Sequence, residues 1–312
     1  MATGSNTTGN GKTQRVPTRD GGWLAVDVRG PETAATVVLV HGYPDSRRVW
    51  RHIAANLMPR MRVVTFDVRG AGDSFRPTRD SDYRLDRLAA DLVDVIDHVS
   101  PGRPVHLVGH DWGAIQAWEV ATDPAMADRL SSFTSVSGPC LDHIGDWLRR
   151  QGLQPRAIGQ LLKSWYVGAF HLPLLPGLAW RAGMGRVWPH LLARSEGIRP
   201  DSDPNQTANG VHGTALYRAN VLPRLRHPRQ RLAQVPVQLI IPTTDPFVSP
   251  AMAASATPWC ERLRRVEINA GHWLPLSQPM WLARQIHEFS AQCEAGGVPA
   301  RAARIDHCRS AA

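Results

Sequence analysis

Three residues could do chemistry together. Asp111 sits at the centre of Gly109-His110-Asp111-Trp112-Gly113, after the apolar run Val105–Val108 and before the small-residue stretch Ala114-Ile115-Gln116-Ala117. Glycines two before and two after a central residue permit the tight strand–turn–helix elbow that pushes a nucleophile into a cleft. A carboxylate at that point selects displacement at a saturated carbon. It is a weaker base than a serine alkoxide, and it leaves an alkyl ester that water must then open. His272, in Asn269-Ala270-Gly271-His272-Trp273, is placed to activate that water. Asp245, in Pro242-Thr243-Thr244-Asp245-Pro246, is placed to orient the histidine and stabilise its imidazolium. Asp142 also follows a strand, so it competes with Asp245 for that role. A further turn, Val40-His41-Gly42-Tyr43-Pro44, can aim the Tyr43 backbone N–H into the cleft. With the N–H of Trp112 it makes an oxyanion hole for the tetrahedral intermediate of ester hydrolysis. Asp67-Val68-Arg69-Gly70-Ala71-Gly72-Asp73-Ser74 is glycine-rich but lacks dinucleotide-binding and P-loop spacings, and reads as a structural turn.

These loops need a scaffold that delivers them to one edge. Short β-branched runs alternate with helical patterns, the signature of a mostly parallel sheet covered on both faces. Strands are expected at Trp23–Val28, Thr36–Val40, Arg62–Phe66, Val105–Val108, Phe133–Val136, Val237–Ile241 and Val266–Ile268. Helices are expected at Leu85–Val99 and Pro279–Phe289. The alternation stops after Gly138 and resumes at Val235, across a Trp-, Leu-, Arg- and Pro-rich interval of helical character. The expected organisation is a disordered tail over 1–15, a core from 16–138 and 235–292, a helical cap over 139–234, and a flexible tail over 293–312. Open α/β sheets bind ligands at the C-terminal ends of their strands, where such a cap would enclose an apolar cavity.

With 312 residues, 43% of them hydrophobic, the chain can bury one large core. The net charge of +9 raises nucleic acid or an anionic membrane as partners. Of 36 basic residues only Lys12 and Lys163 are lysines, and the arginines are spread through every segment, so a nucleic-acid partner is not expected. Cys140, Cys260, Cys293 and Cys308 share no metal-ligand spacing, so free thiols are expected and no metal. The N-terminus lacks a secretory pattern, and Gly168–Trp180 is too short and proline-broken to span a bilayer, so a soluble, cytoplasmic protein is expected.

Over roughly Val16–Ala291 the four motifs resemble the epoxide hydrolase and haloalkane dehalogenase branch of the α/β-hydrolase superfamily. These are His-Gly-Tyr-Pro, Asp-Val-Arg-Gly-Ala-Gly-Asp-Ser, Gly-His-Asp-Trp-Gly and Ala-Gly-His-Trp. The stretch from Gly138 through the cap is similar to the hydrolase half of actinobacterial proteins that fuse an epoxide hydrolase to a short-chain dehydrogenase. Nothing after the last helix resembles their nucleotide-binding half, so no NAD-linked activity and no cofactor are expected. The resemblance implies an α/β-hydrolase fold with an inserted helical cap. It also implies a pair of cap tyrosines that hydrogen-bond the epoxide oxygen, and Tyr166 and Tyr217 stand in matching settings. Ser277 stands where many epoxide hydrolases carry an acid, a departure shared with the fused proteins.

The expected activity is conversion of an apolar small-molecule epoxide to a vicinal diol. A haloalkane dehalogenase is the alternative, with the Trp112 indole as halide donor, although Tyr43 occupies the place where such enzymes often carry a second donor. A non-catalytic binding protein is the third reading. A homodimer is left open.

Overall fold

The computed structural model describes residues 13–172 and 174–298 in full, and the backbone of 305–308. The described residues form one sheet of nine strands in the order β1-β2-β4-β3-β5-β6-β7-β8-β9. In sequence these are Gln14–Pro17, Trp23–Arg29, Thr36–Val40, Arg62–Phe66, Val105–His110, Leu130–Val136, Val237–Pro242, Leu263–Ile268 and Ile305–Cys308. β1 pairs with β2, and β2 with β4, antiparallel, while every other pairing is parallel.

All seven strands expected from the sequence are present. The unanticipated pair lies at the two edges. β1 has a single buried residue, Val16, and ends in a proline, which leaves little alternation to detect. β9, the close of the last helix and the turn at 295–298 occupy part of the stretch read as a flexible tail, and 299–304 and 309–312 lie outside the described residues. The expected N-terminal tail also lies outside them, except for 13–15, of which 14 and 15 open β1.

The core is two-sided because the central strands are apolar on both faces. All five residues of β3 are buried. One face is covered by α2 (Leu85–Val99) and α3 (Trp112–Ala121), through Leu92, Val95, Ile96 and Trp118. The other is covered by α1 (Arg51–Leu57) and the C-terminal helix Pro279–Glu294, through Ile53, Leu57, Leu282 and Ile286. Leu85, Leu88, Leu92, Val95, Ile96 and Val99 recur at helical spacing, so one stripe of α2 is removed from water.

Between β6 and β7 the regular elements among the described residues are all helical. α4 (Leu141–Gln151), α5 (Pro155–Lys163), α6 (Trp165–Phe170), α7 (Leu175–Ala179), α8 (Gly185–Glu196) and α9 (Gln206–Arg226) form this insert, with a π turn at Trp180–Met184. α9 is the element that binds insert to core. Its Ala215, Leu216, Tyr217 and Val221 pack with Leu85, Leu88 and Trp112. Asn220 adds polar attachment: its Oδ1 accepts the Leu85 N–H at 2.8 Å, satisfying an orphan donor at the start of α2, and its Nδ2 donates to the Tyr83 carbonyl at 2.9 Å.

The remaining helices are α10 (Pro250–Ala253), α11 (Leu274–Ser277) and α12, the C-terminal helix. No helix among the described residues is long and apolar enough to cross a membrane.

Candidate active site

Asp111 occupies the first position after β5, and the strain of the turn falls on it rather than on its flanking glycines. Its φ is +52° and ψ −124°, a conformation L-residues rarely adopt. Its N–H is held by the Val136 carbonyl at 3.0 Å, and its own carbonyl accepts from Ala114 and Ile115 as α3 begins. The glycines serve close approach. A Cβ at Gly109 would stand 2.4 Å from Ala114 Cα, one at Gly113 2.1 Å from the Val40 carbonyl, and one at Gly138 2.2 Å from the Asp111 carbonyl. Only bare backbone lets β5, α3 and the neighbouring strand meet so closely.

The structure brings Asp111, His272 and Asp245 into one line. His272 Nδ1 lies 2.7 Å from Asp245 Oδ2, and His272 Nε2 lies 3.5 Å from Asp111 Oδ2. Asp245 Oδ1 accepts the N–H groups of Phe247 and Val248 at 2.7 and 2.9 Å, which fixes the other oxygen toward the ring. Burial pushes the Asp245 carboxyl up, but the His272 charge, its hydrogen bond and the two backbone donors outweigh that and hold it below the usual carboxylate range. Burial likewise opposes a charged His272, yet Asp245 and then Asp111 overcome it and hold the imidazole well above its ordinary value.

Asp142, the competing acid, is elsewhere. It is fully buried on α4 and is gripped by Arg224 and Arg229, in a cluster where Arg224, Arg229 and Arg231 also meet Glu119. It ties α4 to α9 and the chain after it, and Glu119 on α3 joins that cluster to the core.

The Tyr43 N–H donates to Asp111 Oδ1 at 2.8 Å. A Cβ on Gly42 would fall 2.4 Å from that same oxygen, so this turn and the aspartate are mutually fitted. The loop is tied down by His41, which donates from Nδ1 to the Gly42 carbonyl and accepts the Val68 N–H on Nε2. Trp112 opens α3 beside Asp111, but its N–H makes no hydrogen bond to the carboxylate. The Tyr43 phenol is committed to the insert: it donates to the Gly210 carbonyl at 3.0 Å and accepts from Trp180 Nε1 at 2.7 Å.

Tyr166 and Tyr217 come from α6 and α9 into one cavity of about 140 Å³, together with Asp111, His272, Tyr43 and Phe247. Their ring centroids are 6.0 Å apart. Burial first, and then the Asp111 charge, raise the Tyr166 phenol above its ordinary value. Tyr217 is raised by burial and by its neighbours Tyr166 and Asp111, opposed by donation from the Trp112 side chain. Both therefore keep their protons across the neutral range.

The model of the alpha/beta hydrolase fold family matches residues 35–279. This chain belongs to that family. Among curated α/β-hydrolase relatives it is 35% identical over 308 residues to the probable oxidoreductase EphD of Mycobacterium tuberculosis, covering 92% of this chain and 50% of that one. The chain thus spans about half the length of these relatives. It is 27% identical over 275 residues to epoxide hydrolase 3 of Xenopus tropicalis, covering 83% of this chain and 72% of that one. Among solved structures, an epoxide hydrolase of Bacillus megaterium superposes with a TM-score of 0.74 at 20% identity, covering 88% of this chain and 99% of that one. The shared architecture is the α/β-hydrolase fold expected from the sequence.

Several neighbours of this α/β-hydrolase site were not legible in the sequence. Glu196, at the end of α8, accepts the His272 N–H at 2.9 Å and the Trp273 N–H at 3.4 Å. His110 donates from Nε2 to the His272 carbonyl at 2.9 Å, and burial with the nearby His272 charge lowers it to about 4, so it stays neutral. Asp45 accepts the Trp273 indole N–H at 3.1 Å, and its carboxyl is pushed up to about 7, chiefly by burial. A motif reveals a residue beside its own turn. It does not reveal a partner brought up from another element.

Proposed function

We propose that this protein is an epoxide hydrolase that opens an apolar epoxide to a vicinal diol through an alkyl ester on Asp111. The observation that carries the reading is the convergence of two phenol groups, Tyr166 and Tyr217, on the cavity that also holds Asp111 and His272. An epoxide oxygen leaves as an alkoxide still attached to the carbon skeleton, and it needs a proton donor where a halide does not. The relatives named epoxide hydrolases support the same reading.

In this mechanism Asp111 Oδ2 attacks an epoxide carbon and the C–O bond breaks toward a tyrosine, which gives its proton to the departing oxygen. The resting carboxylate is prepared for that attack, because Oδ1 is held by the Tyr43 N–H and Oδ2 faces His272. Esterification removes the Asp111 charge. One of the two carboxylates that hold His272 protonated is then gone, so the imidazole can release its proton and take another from water. The water attacks the ester carbon, and negative charge develops on Oδ1, where the Tyr43 N–H already points and the Trp112 N–H is the second expected donor. Collapse frees the diol and restores the carboxylate, and the tyrosine regains its proton from solvent or His272.

Dehalogenation is the weaker reading, because the Tyr43 phenol that would have to serve as second halide donor is engaged by Trp180 and Gly210. The test is a panel of epoxides and bromoalkanes presented to the His272→Gln protein, followed by mass spectrometry of Asp111 peptides. An alkyl adduct from epoxides, with diol formed by the parent protein, is the expected result. Release of halide without diol formation would replace this reading with the second.

A further inference from the structure

The helical insert carries a surface that the reaction does not use. Eleven of the fifteen large hydrophobic side chains exposed among the described residues lie between 153 and 191. The most prominent are Leu153 (88% exposed), Leu174 (80%), Trp165 (74%) and Leu162 (72%). They sit on α5, α6 and α7 and the connections around them, elements that touch one another in succession. Leu174 is held in the left-handed region, φ +67°, with its side chain out in water. Inner positions of the same segment line the cavity: Tyr166 and Phe170 face Asp111 while Trp165 faces out.

Charge identifies what this face fits. From Trp147 to Ser195 the sequence holds seven lysine or arginine residues and no aspartate or glutamate. All seven are exposed, and among the described residues only Arg150 forms an ion pair, with Asp146. Elsewhere 14 of the 25 arginines among the described residues pair with a carboxylate, as at Arg69 with Asp91 and Arg218 with Asp80. The stretch from Trp147 to Ser195 thus carries a run of cations with no acid of its own to offset them.

We propose that this face of the insert docks on an anionic lipid bilayer, with the leucines and Trp165 entering the headgroup boundary and Arg156, Arg181 and Arg186 meeting lipid phosphates. Exposed apolar side chains and exposed cations on the same helices are the pattern of an interfacial, non-spanning contact. A second copy of the chain fits less well. A two-fold interface places the same patch on both partners, and seven cations without an acid would meet seven more. This inference goes beyond the assigned reaction and does not depend on it.

The test is flotation of the protein with phosphatidylglycerol-rich vesicles and with pure phosphatidylcholine vesicles, at low and high salt. Binding is expected to the anionic vesicles and to weaken with salt. Arg156→Glu/Arg181→Glu should lower partition by roughly fivefold or more per charge. Leu162→Ser/Leu174→Ser should lower it by about tenfold per leucine. Both pairs are exposed, so thermal melts should match the parent. Absence of binding to anionic vesicles, equal binding to both compositions, or variants that bind like the parent would overturn the proposal. A dimer in sedimentation velocity that the leucine pair dissociates would also overturn it and give the face to a second copy.

Discussion

His272 Nε2 lies 3.5 Å from Asp111 Oδ2, so the protonation of the histidine is tied to the charge on the aspartate. Burial alone would lower the imidazole pKa, and the carboxylates of Asp245 and Asp111 raise it instead. Removing the Asp111 charge should move the His272 pKa down. Asp111→Asn is expected to show this as an earlier loss of the imidazolium on raising pH, followed by histidine NMR titration, together with a loss of turnover of about 10⁴-fold. An unchanged titration would mean that Asp245 alone sets the charge, and that ester formation does not prepare the base.

Gly42 faces the same carboxylate from the other side. A methyl group there would meet Asp111 Oδ1 at 2.4 Å and its Cβ at 2.5 Å, so the aspartate must shift. Gly42→Ala is expected to reduce kcat by roughly 100-fold, the scale associated with a displacement of about 1 Å in a reacting group. Steady-state kinetics on an epoxide, with a thermal melt to separate misplacement from unfolding, would check it. Parent-like kcat would show that the loop yields in place of the carboxylate.

The sequence showed Asp111 and Tyr43 for one physical reason, since each lies in a tight turn that follows a fully buried, apolar strand, whereas His272 follows the alternating, half-buried strand Leu263–Ile268 and was placed by its order in the chain. The fold was legible to the same extent, because the central strands are apolar on both faces. β1 was hidden by having only Val16 to bury. The choice between Asp142 and Asp245 could not be made from position, since both follow strands. Their partners separate them: arginines surround Asp142, whereas two backbone N–H groups and His272 surround Asp245. Glu196 lay beyond reach because it meets His272 across 76 residues, and no local pattern records such a contact.

The Asp142 cluster should behave as structure. Asp142 has no exposed side-chain surface, while Arg224 and Arg229 keep 17% and 47% of theirs. Asp142→Ala leaves two cations short of a partner and costs about 2–3 kcal/mol, below the range for a fully buried pair because Arg229 stays half in water. A lower melting temperature is expected, with the His272 titration unchanged. A shifted titration with intact stability would instead return Asp142 to the catalytic site.

In the proposed mechanism the tyrosine pair sets the reaction apart from dehalogenation. Tyr166→Phe and Tyr217→Phe remove only a hydroxyl from each ring, so the T-shaped packing of Tyr217 on Trp112 and of Tyr166 on Phe247 is retained. Each change is expected to slow epoxide opening by about 10²-fold, and the pair together by more, measured in single turnovers of ester formation on Asp111. Ester formation from a bromoalkane should be little affected. Equal losses on both substrate types would indicate that the phenols shape the cavity and donate no proton.

Glu196 links the insert to the histidine loop. Its two oxygens accept the N–H groups of His272 and Trp273, and it sits where a side chain on Gly271 would be, 2.1 Å from a Cβ built there. The carboxylate therefore holds the backbone of the residue that activates water in the proposed mechanism, and holds it from an element that also covers the cavity. Glu196→Ala is expected to lower kcat by about tenfold through loosened placement of the imidazole, with KM little changed because Glu196 does not line the cavity. Glu196→Gln should fall between the two, since its oxygen can still accept one N–H while its amide group opposes the other. Steady-state kinetics of the three proteins would decide it. A rise in KM at constant kcat would show that Glu196 serves closure over the substrate and not the placement of His272.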